Sequence, residues 1–385
     1  MARVGLIALE TGTLARSSKP RESAPASDLQ RTDDMADPLY QTHLAVLAER
    51  WARALDSAGF DAAIVAAGAP QPYFLDDQAP PWRCNPHFAQ WLPGVECPHS
   101  ALLVRPGARP RLYFLRPADY WHQPPTVPDW LGDGFDVHVF EDPARLAAAI
   151  AAGAGASNRL AWVGEATATL PGASQNPPAL LAYLHYERAS KTDFEIGCMT
   201  TATAHATRGH LAAAAAFAAG AGEFEIHMAY LGAARQTAAD LPYASIVALN
   251  EHAGVLHYQH YDRDPPAARR SFLIDAGATA RGYAADITRT YAAPDAVDGD
   301  RFAALVTDLD GTQRALIDAI RPGLSYVDLH IAAHRAIARI LVEHGILTCS
   351  ADTAFETGLT RIFLPHGLGH LIGLQTHDVG GLQAD

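Results

Sequence analysis

The sequence predicts an α/β domain followed by an α+β domain, and three observations predict it. At 385 residues the chain is long for one core, so two domains are the default. Over about 36–175, short apolar runs alternate with helical periodicities, the mark of an α/β layer arrangement. After residue 192, two helices, a group of antiparallel strand runs and two further helices follow in blocks, which marks α+β. The expected boundaries are a disordered extension over 1–34, an N-terminal domain over 35–175, a linker over 176–191 and a second domain over 192–385.

Residues 1–34 carry "ARSSKPRESAPASDLQRTDD", polar and without apolar period, so they read as disordered, with Met35 a candidate start of the folded protein. A helix is predicted from about Pro38 to Gly59, with Leu44, Leu47, Trp51 and Leu55 at three- to four-residue spacing. A buried strand "AAIVAAG" follows, then strand runs "HSALLVRP", "RLYFLRP", "DVHVFED" and "RLAWVGE", with helices around 143–152 and 177–186. Thr192 and Glu195 form a capping box that opens a helix over about 193–221. A helix over 222–238, strands "YASIVALN", "VLHYQHY" and "RSFLIDAG", and helices over 299–320 and 325–345 complete the pattern.

Composition narrows the function. The net charge of −13 and the lack of a Lys/Arg block argue against nucleic acid or an anionic membrane as partner. Cys84, Cys97, Cys198 and Cys349 are scattered, which argues against a disulfide framework or structural zinc and for a cytoplasmic protein. The first residues form no secretory signal, and the Ala-rich run "HLAAAAAFAAGAG" is too short to span a bilayer. No G-x-S-x-G, H-E-x-x-H or P-loop occurs.

Chemistry concentrates in two stretches. "RSFLIDAGATARGYAADITRT" reads as a β-hairpin turning at "TARG", with Gly282 in the left-handed position. Asp275 and Asp286 are expected opposite or nearly opposite each other, with Cβ atoms ~4.5–5.5 Å apart. Two carboxylates so close need a cation or a shared proton. The plainer alternative is that one Asp faces solvent, since a one-residue slip would separate the two. Asp295, Asp298 and Asp300 read as a solvated loop and helix cap.

The second stretch is "LPHGLGHLIGLQTHD". His366 and His370 are four apart and share a face in either a helix or a strand. Gly367, Gly369 and Gly373 disfavour a helix and suggest close backbone approaches. His377 converges with them only if the chain bends. Each histidine taken alone reads as readily as a core or surface residue.

With "FLDDQAPPWRCNPHFAQWLPG", "DYWHQPP", "ERASKTDFEI", "SIVALNEHAGVLHYQ", "FLIDAGATARGYAADITRTY" and "FLPHGLGHLIGLQTHDVGG", the chain from Leu39 onward resembles the pita-bread (creatinase/aminopeptidase-like) metallopeptidases, in the bacterial Xaa-Pro dipeptidase (prolidase) branch. The resemblance implies a pita-bread second domain and a site for two divalent ions, manganese first, with cobalt or zinc as alternatives. By it Asp275, Asp286 and His370 are metal ligands, Asp286 bridging, and Thr288 orients Asp286. His366 and His377 act on the substrate carbonyl, the oxyanion or the terminal carboxylate. His257 and Tyr243 line the pocket, and Asp76 or Asp77 closes it from a paired copy in a homodimer. The implied substrate is a dipeptide with C-terminal proline, and organophosphate esters are a second class open to the same chemistry.

The family pattern also includes two glutamate ligands, which no acidic residue of this sequence matches. The chain ends at Asp385, so the expectation is a C-terminally truncated catalytic domain that lacks its closing strands and has doubtful activity. An aminopeptidase P-like enzyme and a non-catalytic pita-bread binding module are the competing readings.

Overall fold

The computed structural model describes residues 37–381 except 156, 158, 166–169 and 294–295. The extension over 1–34, Met35 and Asp295 lie outside the described residues. The chain divides into two compact units. One spans Cys198–Asp378; the other holds the described residues up to Gly197, with Val379 to Gly381.

In the N-terminal unit, helix α1 is Pro38–Ala58. Asp37 caps it, accepting the Leu39 N–H at 2.8 Å, and Pro38 takes the first turn, where a missing N–H costs nothing. Gly59, at φ 76°, ends it in the left-handed conformation. The predicted stripe of Leu44, Leu47, Trp51 and Leu55 is buried, and each large apolar side chain so buried contributes ~1.5–3 kcal/mol.

The strands are β1 (Ala62–Ala66), β2 (Ala101–Val104), β3 (Arg111–Leu115), β4 (Asp136–Phe140), β5 (Leu160–Val163) and β6 (Ser174–Gln175). They form one sheet in the order β4-β3-β2-β1-β5-β6. β1 pairs antiparallel with β2 and parallel with β5. Every residue of β1 is buried, so its run is apolar throughout rather than alternating. Short helices α2 (Pro86–Ala89) and α3 (Leu131–Gly134) lie between strands. Helix α4 (Pro143–Ala154) packs Leu146, Ile150 and Ala154 against the sheet residues Leu103, Tyr113 and Trp162. The stretch 176–191 is largely helix α5, Pro178–Ala189.

Helix α6, Asp193–Ala219, crosses from one unit into the next. The capping box at its start is formed: the Thr192 N–H donates to Glu195 Oε2 at 2.8 Å, and the Glu195 N–H donates to Thr192 Oγ1 at 3.3 Å.

In the second unit, α7 is Glu223–Ala234. It stops short of the predicted 238 because Arg235 turns left-handed at φ 57°. Strands β7 (Ile246–Leu249), β8 (Ser271–Asp275) and β11 (Thr288–Ala292) make an antiparallel sheet in the order β11-β8-β7. Between β8 and β11 the chain forms a small hairpin, β9 (Thr279–Ala280) and β10 (Tyr283–Ala284). Phe217 of α6 and Ile226 and Tyr230 of α7 pack on Val247, Phe272 and Ile274 of this sheet.

Helices α8 (Gly299–Asp318), α9 (Tyr326–Glu343) and α10 (Ala351–Glu356) follow. Over 364–381 the chain forms neither helix nor strand; the absence of helix is what its glycines predict.

One strand expectation is overturned. "VLHYQHY" forms turns and loop, not a strand. Tyr258 alone is buried there, held by its hydroxyl on Glu223 at 2.7 Å, while Val255, Leu256 and His257 are exposed. The run is anchored through side chains, Tyr258 on Glu223, Gln259 on Ala244 O and Tyr261 on Ser245 O, and forms no strand ladder.

Candidate metal centre

The hairpin is where sequence and geometry meet. Its tip is the two-residue turn Arg281–Gly282, with φ 52° and 82° and Tyr283 paired to Ala280. Both central residues are left-handed, as a type I′ turn requires. Glycine takes the second position at no steric cost.

The turn is centred one residue later than the midpoint of the two aspartates. Asp275 therefore faces Thr288, not Asp286. The Ala276 N–H to Ile287 O and Ala285 N–H to Ala278 O bonds carry the same register towards the tip and place Asp286 across from Gly277. Of opposite and nearly opposite, the structure has the second: the two aspartates stand diagonally. Because side chains alternate with period two, they still share a face.

Tyr243 joins the two carboxylates. Its hydroxyl lies 2.6 Å from Asp275 Oδ1 and 2.7 Å from Asp286 Oδ1. One phenolic proton thus faces two carboxylates. Burial pushes the Asp275 carboxyl above its ordinary value, and the Asp286 charge adds to this against the hydrogen bonds from Tyr243 and Thr288. Burial, and then the two aspartates, push the Tyr243 phenol far upward, so it remains a donor.

His370 reaches the same place from the glycine-rich segment. Its Nδ1 lies 2.9 Å from Leu371 O and its Nε2 lies 3.1 Å from Asp286 Oδ2. A carbonyl only accepts, so Nδ1 carries the hydrogen. In the neutral ring Nε2 then holds a lone pair aimed at a carboxylate oxygen. His366 shows the same orientation, Nδ1 at 2.8 Å from Gly367 O. His377 joins through the bend: its ring meets that of His370 edge-on, with centroids 4.5 Å apart at 81°. Two anchors set the bend, the Asp378 N–H on Leu371 O at 2.9 Å and the Ala284 N–H on Gly373 O at 2.8 Å.

These donors are short of positive charge. Two carboxylates and an imidazole nitrogen crowd together, and what donates to the carboxylate pair are the neutral hydroxyls of Tyr243 and Thr288. A hard divalent cation with oxygen and imidazole ligands fits that deficit. The three groups are linked pairwise through Asp286. Among the described residues the one group of three whose ligand atoms all lie within 4.8 Å is Glu223, His252 and Asp262.

That second group escapes sequence reasoning. Glu223 opens α7 and is buried, at the edge of a cavity of about 200 Å³. Its Oε1 accepts the Leu249 N–H and His252 Nδ1, each at 2.8 Å. Its Oε2 accepts the Tyr258 hydroxyl at 2.7 Å and the Asp262 N–H at 2.9 Å. With these acceptor positions filled, Glu223 acts as the hub of the loop that carries His257. The only sequence signal was an acid at a helix start, which reads equally as a macrodipole contact.

The remaining predicted residues lie apart from these contacts. His257 is exposed on that loop. Asp76 and Asp77 sit on an exposed loop of the N-terminal unit, where they accept from the Gln78 N–H and from Gln78 Nε2, each at 3.1 Å.

The fold is mixed α/β with a candidate metal site, and comparison with known proteins gives the class. Metallopeptidase family M24 matches residues 197–384, and the N-terminal domain of Xaa-Pro dipeptidases matches residues 38–186. An Xaa-Pro dipeptidase of Stenotrophomonas maltophilia is 46% identical over 348 residues, covering 90% of this chain and 77% of that protein. The Xanthomonas euvesicatoria Xaa-Pro dipeptidase is also 46% identical over 348 residues, covering 90% and 78%.

Among solved structures, Pseudomonas aeruginosa aminopeptidase PepP matches with a TM-score of 0.70 at 23% identity, over 89% of this chain and 82% of that one. A zinc-substituted E. coli aminopeptidase P in complex with product matches at 0.67 and 20% identity, over 86% and 82%. These two show the pita-bread fold. The chain belongs to metallopeptidase family M24 and carries the N-terminal domain of its Xaa-Pro dipeptidases. It is thus a peptidase of the metal-dependent class.

Proposed function

We propose that the chain hydrolyses the bond before a C-terminal proline in a dipeptide, at the site where Asp275, Asp286 and His370 would hold divalent metal. The observation that carries the reading is the shared deficit of positive charge: two carboxylates bridged by one neutral tyrosine hydroxyl, with an imidazole nitrogen 3.1 Å from Asp286. Bound divalent cations supply Lewis-acid polarisation of the scissile carbonyl and a water of lowered pKa. Manganese suits the oxygen-rich set with one imidazole, with cobalt and zinc as alternatives.

The other roles rest on the resemblance. The resemblance has Thr288 orient Asp286, but Thr288 stands across from Asp275 and hydrogen-bonds that carboxylate, so we assign it to orienting Asp275. Tyr243 keeps the two carboxylates together. His366 and His377 present ring nitrogens to the substrate carbonyl oxygen and to the terminal carboxylate. His257, Asp76 and Asp77 complete the substrate pocket, in a cytoplasmic homodimer. The scissile nitrogen of an Xaa-Pro bond carries no N–H, so recognition falls on the carbonyl and the termini.

Three ligands come from this chain, where the resemblance implies five, so the distinguishing quantity is a ratio between substrates. With Mn²⁺ added, release of proline from Gly-Pro is compared with release of the first residue from a Gly-Pro-Xaa tripeptide. The dipeptidase reading predicts that Gly-Pro is preferred. Cleavage of the tripeptide with Gly-Pro untouched would instead support an aminopeptidase P-like activity. No Mn²⁺ binding at all would favour the non-catalytic module.

A further inference from the structure

Asp275 is the last residue of β8, and Ile246 is its last partner on β7. Beyond it, side chains meet three carbonyls of the chain: one at Ala276, on the side of β11, and two at Gly277 and Thr279, on the side β7 no longer reaches. His210 Nε2, from α6, lies 3.0 Å from Ala276 O. The Tyr230 hydroxyl, from α7, donates to Gly277 O at 2.8 Å. Gln236 Nε2 donates to Thr279 O at 3.1 Å, and the Thr279 N–H returns to Gln236 Oε1 at 2.9 Å. Buried backbone groups must be paired, and at Gly277 and Thr279 side chains replace a strand. Burial pushes the His210 imidazole down to about 4, so it stays neutral.

The middle contact is built most tightly. A Cβ on Gly277 would lie 2.1 Å from Ala285 O and 2.9 Å from Tyr243 Cε1. Glycine is what lets the strand opposite Asp286 approach this closely. On the other side, a Cβ on Gly209 would lie 2.5 Å from the Tyr230 ring. Glycine inside a helix is unfavourable, and in α6 it opens the notch that seats this ring. Tyr230 is fully buried. Burial, and then the Asp275 charge, push its phenol upward, so it donates across the neutral range.

We infer that Tyr230 is a positioning residue for the carboxylate pair: its hydroxyl fixes Gly277, and through Gly277 the spacing of Asp275 and Asp286 that a divalent cation requires. The inference rests on the metal-site reading above. It gives Gly209, in the middle of a helix, a function at the far end of the tyrosine it accommodates.

The test is a calorimetric titration of the 385-residue chain with Mn²⁺ for wild type, Tyr230→Phe and Tyr40→Phe. Tyr230→Phe keeps the ring in its notch and removes only the hydroxyl. Tyr40 is the control. It is equally buried and its hydroxyl likewise donates to a backbone carbonyl, Trp91 O at 2.7 Å, in the N-terminal unit. Tyr230→Phe is expected to weaken Mn²⁺ binding ~10–100-fold, as loss of a group supporting metal ligands does. Tyr40→Phe is expected to leave binding unchanged. Wild-type affinity in Tyr230→Phe, or an equal loss in Tyr40→Phe, would overturn the inference. Failure of the wild type to bind Mn²⁺ would instead overturn the metal-site reading, and the inference with it.

Discussion

Tyr243 has one proton to give, and two carboxylates stand within 2.7 Å of it. Its removal is therefore informative without any metal. In the metal-free chain, Tyr243→Phe leaves two partly buried carboxylates without their common donor. Hydrogen bonds to charged groups are worth ~1.5–3 kcal/mol, and the loss of stability is expected in that range. Urea unfolding at pH 7 in the presence of a chelator measures it, and an unchanged midpoint would contradict the geometry. At this scale the sequence named residues that the fold brings into contact, but not their relation. Asp275, Asp286, His370 and Tyr243 were all legible. That the aspartates stand diagonally was not, because a one-residue shift in a turn moves every pairing and no composition signal marks it. Glu223 was illegible for a different reason: its importance comes from four donors, one at the end of β7 and three in the loop that follows.

At the scale of elements, the helices were read well because their signals are local. The apolar period of α1, the Asp37 and Gly59 caps and the Thr192–Glu195 box all lie within a turn or two of what they determine. The loop around His257 failed as a strand because it is held by side-chain bonds to distant groups, Glu223 foremost, and not by a ladder. That loop carries a pH signature. Burial pushes the Glu223 carboxyl up, but donation from Leu249, His252, Tyr258 and Asp262 outweighs it and holds the carboxyl below its ordinary 4.5. The hydrogen bond to Glu223 raises the His252 imidazole above its ordinary 6.5, against burial. The Glu223 contribution is present above about pH 4.5 and is lost as pH falls through its lowered value. The His252 contribution is complete below about pH 6.5 and is lost as pH rises through its raised value. The pair therefore stabilises most between those limits. His252→Ala should destabilise the protein more at pH 5.5 than at pH 8.5, by chemical denaturation at the two values. An equal cost at both would contradict the ion pair.

For the whole molecule, two units divide the work. The N-terminal unit is an independent sheet-and-helix core, and the second unit brings together residues about ninety positions apart in sequence, the β8–β11 hairpin and the segment from His366 to His377. The sequence made both stretches visible as motifs. Only the fold shows that a bend at Gly373, tied to Ala284 of the hairpin, brings them into contact. That contact is the centre of the functional reading, since His370 on Asp286 is what turns a carboxylate pair into a candidate metal site. The most direct measurement is Mn²⁺ titration of the 385-residue chain and of its Asp286→Asn and His370→Ala variants, followed calorimetrically. Asp286 links all three groups, so both variants should lose binding by more than the ~10–100-fold typical of supporting residues. Mn²⁺ binding in either variant as tight as in the wild type would contradict the assignment of this site.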